Sequence, residues 1–373
     1  MADVAITGLA AMSALGRGPA AQLSGVLAGS ATFTPVDRFD TTARRVRLAA
    51  TLPDAGTLTD ELASAIGQAC QDGGLRGPAD VPVLLAVHGH PAAARSGRTE
   101  DGRPRHTAAH LAAELTERLG LAGVPRIYTS ACVSAGNAVA DAAAMITTGR
   151  LDRVVVAAGY LVESDQFALF DAGRGLATDG AIRPFSTGRT GLLLGDAVAA
   201  VVLESVEAAR ARGVTDAARL LGWARTGDGF HPVQPHPNGD GMARAIRQAL
   251  GRAGLDASAV GHVNAHGTGS PMSDAAEAAA LAEVFGVSAG VPVSATKSVH
   301  GHALEASVLL ELVITVLALR AGKLPPTAGF LGADPACPVN VITDAPATST
   351  SDVAVSVNAA FGGANTAIVV RAA

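Results

Sequence analysis

Aromatic side chains are scarce in this 373-residue chain: one tryptophan, two tyrosines and nine phenylalanines make up 3% of it. Basic residues are also outnumbered, 28 Lys+Arg against 33 Asp+Glu for a net charge of −5. A chain with neither a broad basic face nor stacking platforms is not expected to bind nucleic acid. Cysteine is rarer still. Cys70, Cys132 and Cys337 form an odd set without metal-ligand spacing, which argues against a disulfide framework or a metal site and suits a reducing compartment. Although 49% of residues are apolar, no uninterrupted apolar run approaches the roughly 18 residues of a membrane span. MADVAITGL moves directly into a strand-like run without a basic leader region, so a secretory signal is not expected. These absences point to a cytoplasmic protein that binds neither nucleic acid nor membrane.

What is present centres on Cys132, in TSACVSAGNAVADAAAMI, where a β-rich approach gives way to small residues that can open a helix. A thiol at a helix N-terminus meets the positive end of the macrodipole and free backbone N–H groups, which favour the thiolate and can hold an oxyanion. Free cysteine is also among the most buried residue types, so this window alone leaves a packing role open. Two later windows add imidazoles: VNAHGTGSPMSDAAE carries His266 after an apolar run, and SATKSVHGHALEAS carries His302 shortly after Lys297. A nucleophilic sulfur with two imidazoles in Gly-containing loops suits acyl transfer with proton or oxyanion control. His88, His90, His106, His110, His231, His236, His262 and His300 read as surface or packing residues.

The length allows about two domains, and the chain reads as two similar halves, 1–205 and 206–373. VPRIYTSACVSAGNAVADAAAMITTGRL has a counterpart in VPVSATKSVHGHALEASVLLELVITVLALRAGKL, each in the order strand, reactive loop, long apolar helix. GLLLGDAVAAVVLE and AAFGGANTAIVVRA each read as strand, turn, strand. Alternating strands and helices with continuous apolar strands predict an α/β fold with parallel-rich sheets covered on both faces. Residues 88–110, rich in Gly, Pro, Arg and His, read as a loop or lid.

Six ordered segments, VAITGLAAMSALG, the Cys132 loop, RPFSTGRTGLLLGD, VNAHGTGSPMSDAAE, ATKSVHGHALEAS and FGGAN, make the chain resemble the β-ketoacyl synthases of the thiolase superfamily, the elongating condensing enzymes of fatty-acid and type II polyketide synthesis. The resemblance implies a thiolase-like five-layered αβαβα fold and a homodimer or a heterodimer with a ketosynthase-like subunit. It also implies acyl and malonyl-type substrates presented on the phosphopantetheine of an acyl carrier protein, with no permanently bound cofactor or metal. By motif, Cys132 would carry the acyl thioester, while His266 and His302 would assist decarboxylation and stabilise the enolate. His302 is chosen over His300 because the KSxxGH pattern puts the catalytic imidazole after the glycine. Lys297 and Glu277 would form the supporting pair, the backbone N–H groups of Cys132 and Phe361 the second oxyanion hole, and Thr268 and Ser270 would bind the phosphopantetheine arm. Arg44, Arg45 and Arg47 are candidates for a basic carrier-docking patch.

Departures from the family pattern matter too. Ala359 stands in NAAFGG where a bulky gating Phe is usual, Asp196 replaces the Glu of a GEG turn, and Thr190 replaces a common Asp. A wider or differently regulated acyl entrance motivates one alternative, acyl transfer or cyclisation without decarboxylation; the other is a non-catalytic, chain-length-factor-like partner, since such subunits share the fold that the resemblance implies. Retention of Cys132, His266 and His302 argues against the last.

Overall fold

The computed structural model describes residues 3–88, 107–287 and 290–373, so most of the expected lid, with His90 and His106, lies outside the described residues. The strands are β1 (Val4–Ser13), β2 (Gly16–Arg17), β3 (Thr34–Pro35), β4 (Leu48–Ala49), β5 (Val83–Val87), β6 (Arg126–Tyr128), β7 (Arg153–Tyr160), β8 (Ala197–Ser205), β9 (Ala218–Gly227), β10 (His262–Asn264), β11 (Val293–Ser294), β12 (Lys323–Leu324), β13 (Ala347–Thr348), β14 (Val353–Ala360) and β15 (Ala364–Ala372). The helices are α1 (Pro19–Ala28), α2 (Leu58–Asp72), α3 (Ala108–Leu119), α4 (Ser134–Thr147), α5 (Ser164–Ala172), α6 (Val206–Ala211), α7 (Asp240–Ala253), α8 (Pro271–Phe285), α9 (Lys297–His300) and α10 (Ser307–Ala321).

The strand order is β11-β10-β14-β15-β9-β1-β8-β7-β5-β6, with β2 paired to β1. This order is a palindrome of the two halves: β6-β5-β7-β8-β1 mirrors β11-β10-β14-β15-β9, joined edge to edge where Val4, Ala5 and Ile6 face Leu220, Arg219 and Ala218. Pairing is mixed rather than parallel-rich. Only the outermost pairings at each end are parallel, and every pairing from β7 through β8, β1, β9 and β15 to β14 is antiparallel.

The layers follow from side-chain alternation. On β7, Val154 and Val156 point into one buried cluster while Val155 and Ala157 point into another, as the two-residue period of a strand covered on both faces requires. The central cluster holds α4 and α10, which fill the space between the two halves of the sheet. Outer clusters seat α2 and α3 on one side and α7 and α8 on the other, completing the αβαβα stack. Sequence assigns each helix its layer. SVLLELVITVLALRA is apolar on every face and is buried along nearly its whole length, whereas α2 and α7 bury one stripe and expose the other, the pattern of a surface helix. α2 starts at a capping box in which Thr57 and Asp60 satisfy each other's backbone N–H, removing two orphan donors.

One expectation fails locally. Residues 191–196 do not form the first arm of a hairpin; they make isolated bridges, Leu176 to Leu192, Leu194 to His302 and Ala50 to Gly195, and only β8 is a strand. The reason is close backbone approach. A Cβ on Gly195 would sit 2.1 Å from the His300 carbonyl oxygen, so this segment serves as a bracket for the His302 loop.

Because α10 is packed from both sides, Leu309→Ala, at a fully buried position, is expected to cost about 2–5 kcal/mol. Val124→Ala, at a position 66% exposed, should change stability by no more than about 0.5 kcal/mol. Urea denaturation of both variants checks the difference.

Candidate active site

Cys132 is delivered by a strained turn. Ala131 has φ 50°, in the left-handed region that favours glycine, and the tight turn Ala131–Val133 feeds directly into α4. The second half repeats the device: Leu304 has φ 42° and Leu304–Ala306 feeds into α10. Strain at two matching positions marks a built feature. The two turns pack against each other, placing Glu305 beside Cys132 as its counterpart in the repeat. The thiol is 8% exposed. Burial pushes its pKa up to about 12, the negative charge of Glu305 adds to this, and Lys297 opposes it. The helix N-terminus was expected to lower the thiol's pKa; desolvation outweighs that effect, so Cys132 rests as a thiol and needs a proton acceptor to become a nucleophile. All three cysteines are free and buried.

His266 leaves the end of β10, and His302 follows α9. Their rings meet edge to face, with centroids 5.5 Å apart and planes at 87°. Each ring's inner nitrogen is fixed. His266 Nδ1 lies 3.1 Å from Asn358 Oδ1. Asn358 cannot turn over, because its Nδ2 donates to Glu311 Oε2 at 3.0 Å while its Oδ1 accepts from Lys297 Nζ at 3.3 Å. Nδ1 of His266 therefore carries the proton and Nε2 the lone pair. At His302, Nδ1 lies 2.8 Å from Ser307 Oγ, which already accepts from the Ala303 N–H at 2.9 Å. The buried hydroxyl proton is satisfied by donating to Nδ1, which leaves N–H on Nε2. Burial, reinforced by the Lys297 charge, holds both imidazoles well below the ordinary histidine range, so both are neutral. The His302 backbone is clamped on both sides, its N–H to Leu193 O and its carbonyl to Gly195 N.

His300 is a packing residue in geometry, with its ring nitrogens on Thr296 Oγ1 and Gly301 O. His88 departs from the surface reading, since its Nδ1 lies 2.9 Å from Glu305 Oε1.

The pairing of Lys297 with Glu277 is corrected. Lys297 Nζ pairs with Glu311 Oε1 at 2.5 Å, both side chains being 0% exposed. Glu277, on α8, instead accepts the backbone N–H of His266 at 2.7 Å and of Gly267 at 2.8 Å, which fixes the loop rather than the ammonium. Burial raises its carboxyl to about 8. Sequence reading missed Glu311 and Asn358, though each had a signal: a lone carboxylate within a largely apolar helix and a lone amide within a largely apolar strand.

The remaining candidates are placed as follows. Thr268 is buried and its hydroxyl accepts the Ser270 N–H, at 3.4 Å, just ahead of α8. Phe361 sits in the turn between β14 and β15, 57% exposed and stacked on Phe170 at 5.9 Å. Ala359 is half-buried beside the outer cluster of α7 and α8. Asp196 is a bracket: its carboxylate accepts the N–H of Leu52 and of Val162, each at 2.6 Å, and pairs with Arg38. Thr190 donates to Asp179. Among the described residues no group of three or more His, Cys, Asp and Glu is arranged to hold a metal ion, and no helix is long and apolar enough to cross a membrane.

Residues 83–209 match the family described as beta-ketoacyl synthase, N-terminal domain, and residues 217–331 the corresponding C-terminal domain. Nodulation protein E of Rhizobium meliloti is 40% identical over 257 residues, 68% of this chain. The chain belongs to the β-ketoacyl synthase family. The 3-oxoacyl-[acyl-carrier-protein] synthase 2 of Staphylococcus aureus is 32% identical over 68% of this chain and 64% of its own length. The alignment with nodulation protein E covers 63% of that protein, so the chain spans under two-thirds of the length of these curated relatives. Among solved structures, a β-ketoacyl synthase from Burkholderia phymatum superposes with a TM-score of 0.90 at 29% identity, covering all of both chains. The ishigamide ketosynthase/chain length factor gives 0.89 at 28% identity, covering all of this chain and 99% of the other. These superpositions place the chain in the thiolase-like fold.

Two outcomes follow from this β-ketoacyl synthase site. Lys297→Met strands a buried carboxylate and is expected to cost about 3–5 kcal/mol, whereas Lys297→Met/Glu311→Leu recovers most of the loss; urea denaturation reads both. The second concerns pH. The folded pKa of His266 lies below the ordinary 6.5, so the unfolded chain binds this proton first as pH falls. The contribution of the neutral ring is fully present above about pH 6.5 and is lost below it, by up to about 1.4 kcal/mol per pH unit. Unfolding free energies of wild type and His266→Gln, measured between pH 7.5 and 5.5, should therefore draw together by about that amount; a constant gap contradicts the assignment.

Proposed function

We propose that the chain is a condensing enzyme that takes an acyl group onto Cys132 and extends it with a malonyl-type unit, in polyketide or other specialised-metabolite synthesis. The observation that carries this reading is the edge-to-face pair of neutral imidazoles with opposite tautomers in a charge network that also reaches the Cys132 thiol. In the first half-reaction the Cys132 sulfur loses its proton and attacks the carrier thioester, and the carrier's pantetheine thiol leaves. His266, whose outward nitrogen bears a lone pair, is set up to receive that proton and hand it to the departing pantetheine sulfur. In the second, the bond from the malonyl carbon to its carboxylate breaks, carbon dioxide departs and the electron pair becomes an enolate. His302, whose outward nitrogen bears N–H, is set up to hold the enolate oxygen as charge appears. The carbanion then attacks the Cys132 thioester, the backbone N–H groups of Cys132 and Phe361 hold the oxyanion, and the Cys132 thiolate leaves and takes a proton from water to return to the resting thiol. Burial, reinforced by the Lys297 charge, keeps both rings neutral.

The substrates arrive on the phosphopantetheine of an acyl carrier protein, with Thr268 and Ser270 beside the arm; no permanently bound cofactor takes part. Exposed Arg45 and Arg47 support carrier docking, and Arg45 also bonds to Asp171, the neighbour of Phe170 in the Phe170–Phe361 stack. The working unit is a cytoplasmic homodimer or a heterodimer with a ketosynthase-like subunit, each chain divided into repeats at 1–205 and 206–373. The small Ala359 favours, as a second reading, acyl transfer or cyclisation without decarboxylation.

Intact mass and carbon dioxide release, followed together with an acyl-carrier thioester and malonyl-carrier protein, test the proposal. Wild type should gain an acyl adduct that Cys132→Ala does not, and release carbon dioxide with a lengthened product. His302→Ala should still be acylated while condensation falls about a hundredfold or more. An adduct without carbon dioxide selects the second reading, and an adduct that survives in Cys132→Ala overturns both.

A further inference from the structure

We propose that Glu305 is a specificity-determining residue that selects acyl groups carrying a hydrogen-bond donor, a hydroxyl or amide N–H, over plain saturated chains. The inference rests on the condensing-enzyme reading and concerns the acyl group that Cys132 receives.

Glu305 occupies in the second half the position that Cys132 occupies in the first, one residue after a left-handed turn residue at the mouth of a central helix. Its turn packs against the Cys132 turn and against the ends of β5 and β7. The side chain is 3% exposed. One oxygen is held by His88 Nδ1 at 2.9 Å; the other, Oε2, has no hydrogen-bond partner. A carboxylate oxygen left bare inside a protein is costly, and a ligand donor is the direct way to relieve it. Burial raises the pKa of both the Cys132 thiol and the Tyr160 phenol, and the Glu305 charge adds to it, for Tyr160 after that of Glu163.

The bare oxygen is one of several. Gln166 Oε1 is likewise buried without a hydrogen-bond partner, and Tyr160 Oη, also buried, has at most a marginal contact with the Glu163 backbone. Both residues, with His88, line a cavity of about 1090 Å³, and the His88 ring that holds Glu305 is the link between that cavity and the carboxylate. A saturated chain entering past Glu305 would seal a charged oxygen against methylene groups and leave these polar atoms unpaired. A chain bearing a hydroxyl or amide would complete the set. Sites built to bond a polar group reject analogues that lack it far more strongly than apolar pockets reject an extra methylene.

The test is acylation of Cys132, followed by intact mass, with pantetheine thioesters of octanoate and of 3-, 5- and 7-hydroxyoctanoate. At least one hydroxylated chain should exceed octanoate in kcat/KM by about tenfold or more. Glu305→Ala should bring that ratio close to one, and the isosteric Glu305→Gln should lower it at least about threefold, which keeps the test available if the smaller side chain does not fold. Octanoate as the best substrate of wild type, or a ratio unchanged in either folded variant, overturns the inference while leaving Cys132 acylation intact. Failure of every thioester to give a Cys132 adduct in wild type removes the condensing-enzyme reading and this inference with it.

Discussion

A single buried ammonium organises this site. Lys297 and Glu311 are both fully shielded from solvent and pair at 2.5 Å, and a charge pair in such a place is held only when its remaining bonding capacity is met. Asn358 supplies much of it by donating an amide N–H to Glu311 Oε2 and accepting from Lys297 Nζ. That arrangement leaves the amide oxygen able only to accept from His266. The same positive charge presses both imidazoles towards neutrality and offsets part of the burial cost of a Cys132 thiolate. Tautomer, protonation state and nucleophile are thus set together.

The fold makes this possible by duplication. Two copies of a five-strand pattern meet edge to edge, and their central helices α4 and α10 share one buried cluster. Each helix is entered through a left-handed turn residue, and the two turns face each other. One copy presents a thiol and the other a carboxylate. The repeat therefore supplies two equivalent positions at the mouths of the central helices, and the proposed function uses them differently, Cys132 for the acyl thioester and Glu305 for the choice of acyl group.

Much of this was legible in the residues. Strand-loop-helix order in both halves announced the repeat, and continuous apolar strands announced coverage on both faces. Cys132, His266, His302 and Lys297 stood in Gly-containing loops whose motifs carried a strong resemblance. What stayed hidden depended on long-range partners. Glu277 lies eleven residues from His266 and looked like a mate for Lys297, yet it spends its oxygens on backbone N–H groups, while the true mate, Glu311, sits in α10, the helix after the one that carries Lys297. The Cys132 pKa ran opposite to expectation because a dipole argument is local and desolvation is not. The hairpin expected at 191–196 gave way to a bracket because backbone contact with His300 is a property of the folded chain. Glu305 was invisible as a partner of His88, 217 residues away.

The most direct test of the organising network is ring-nitrogen NMR of the protein labelled with 15N-histidine, with His266 and His302 assigned by substitution. At pH 6 both rings should be neutral, His266 protonated on Nδ1 and His302 on Nε2. An imidazolium at either position, or the reverse tautomers, would contradict the account of how Lys297, Glu311 and Asn358, together with Ser307 at His302, prepare the site.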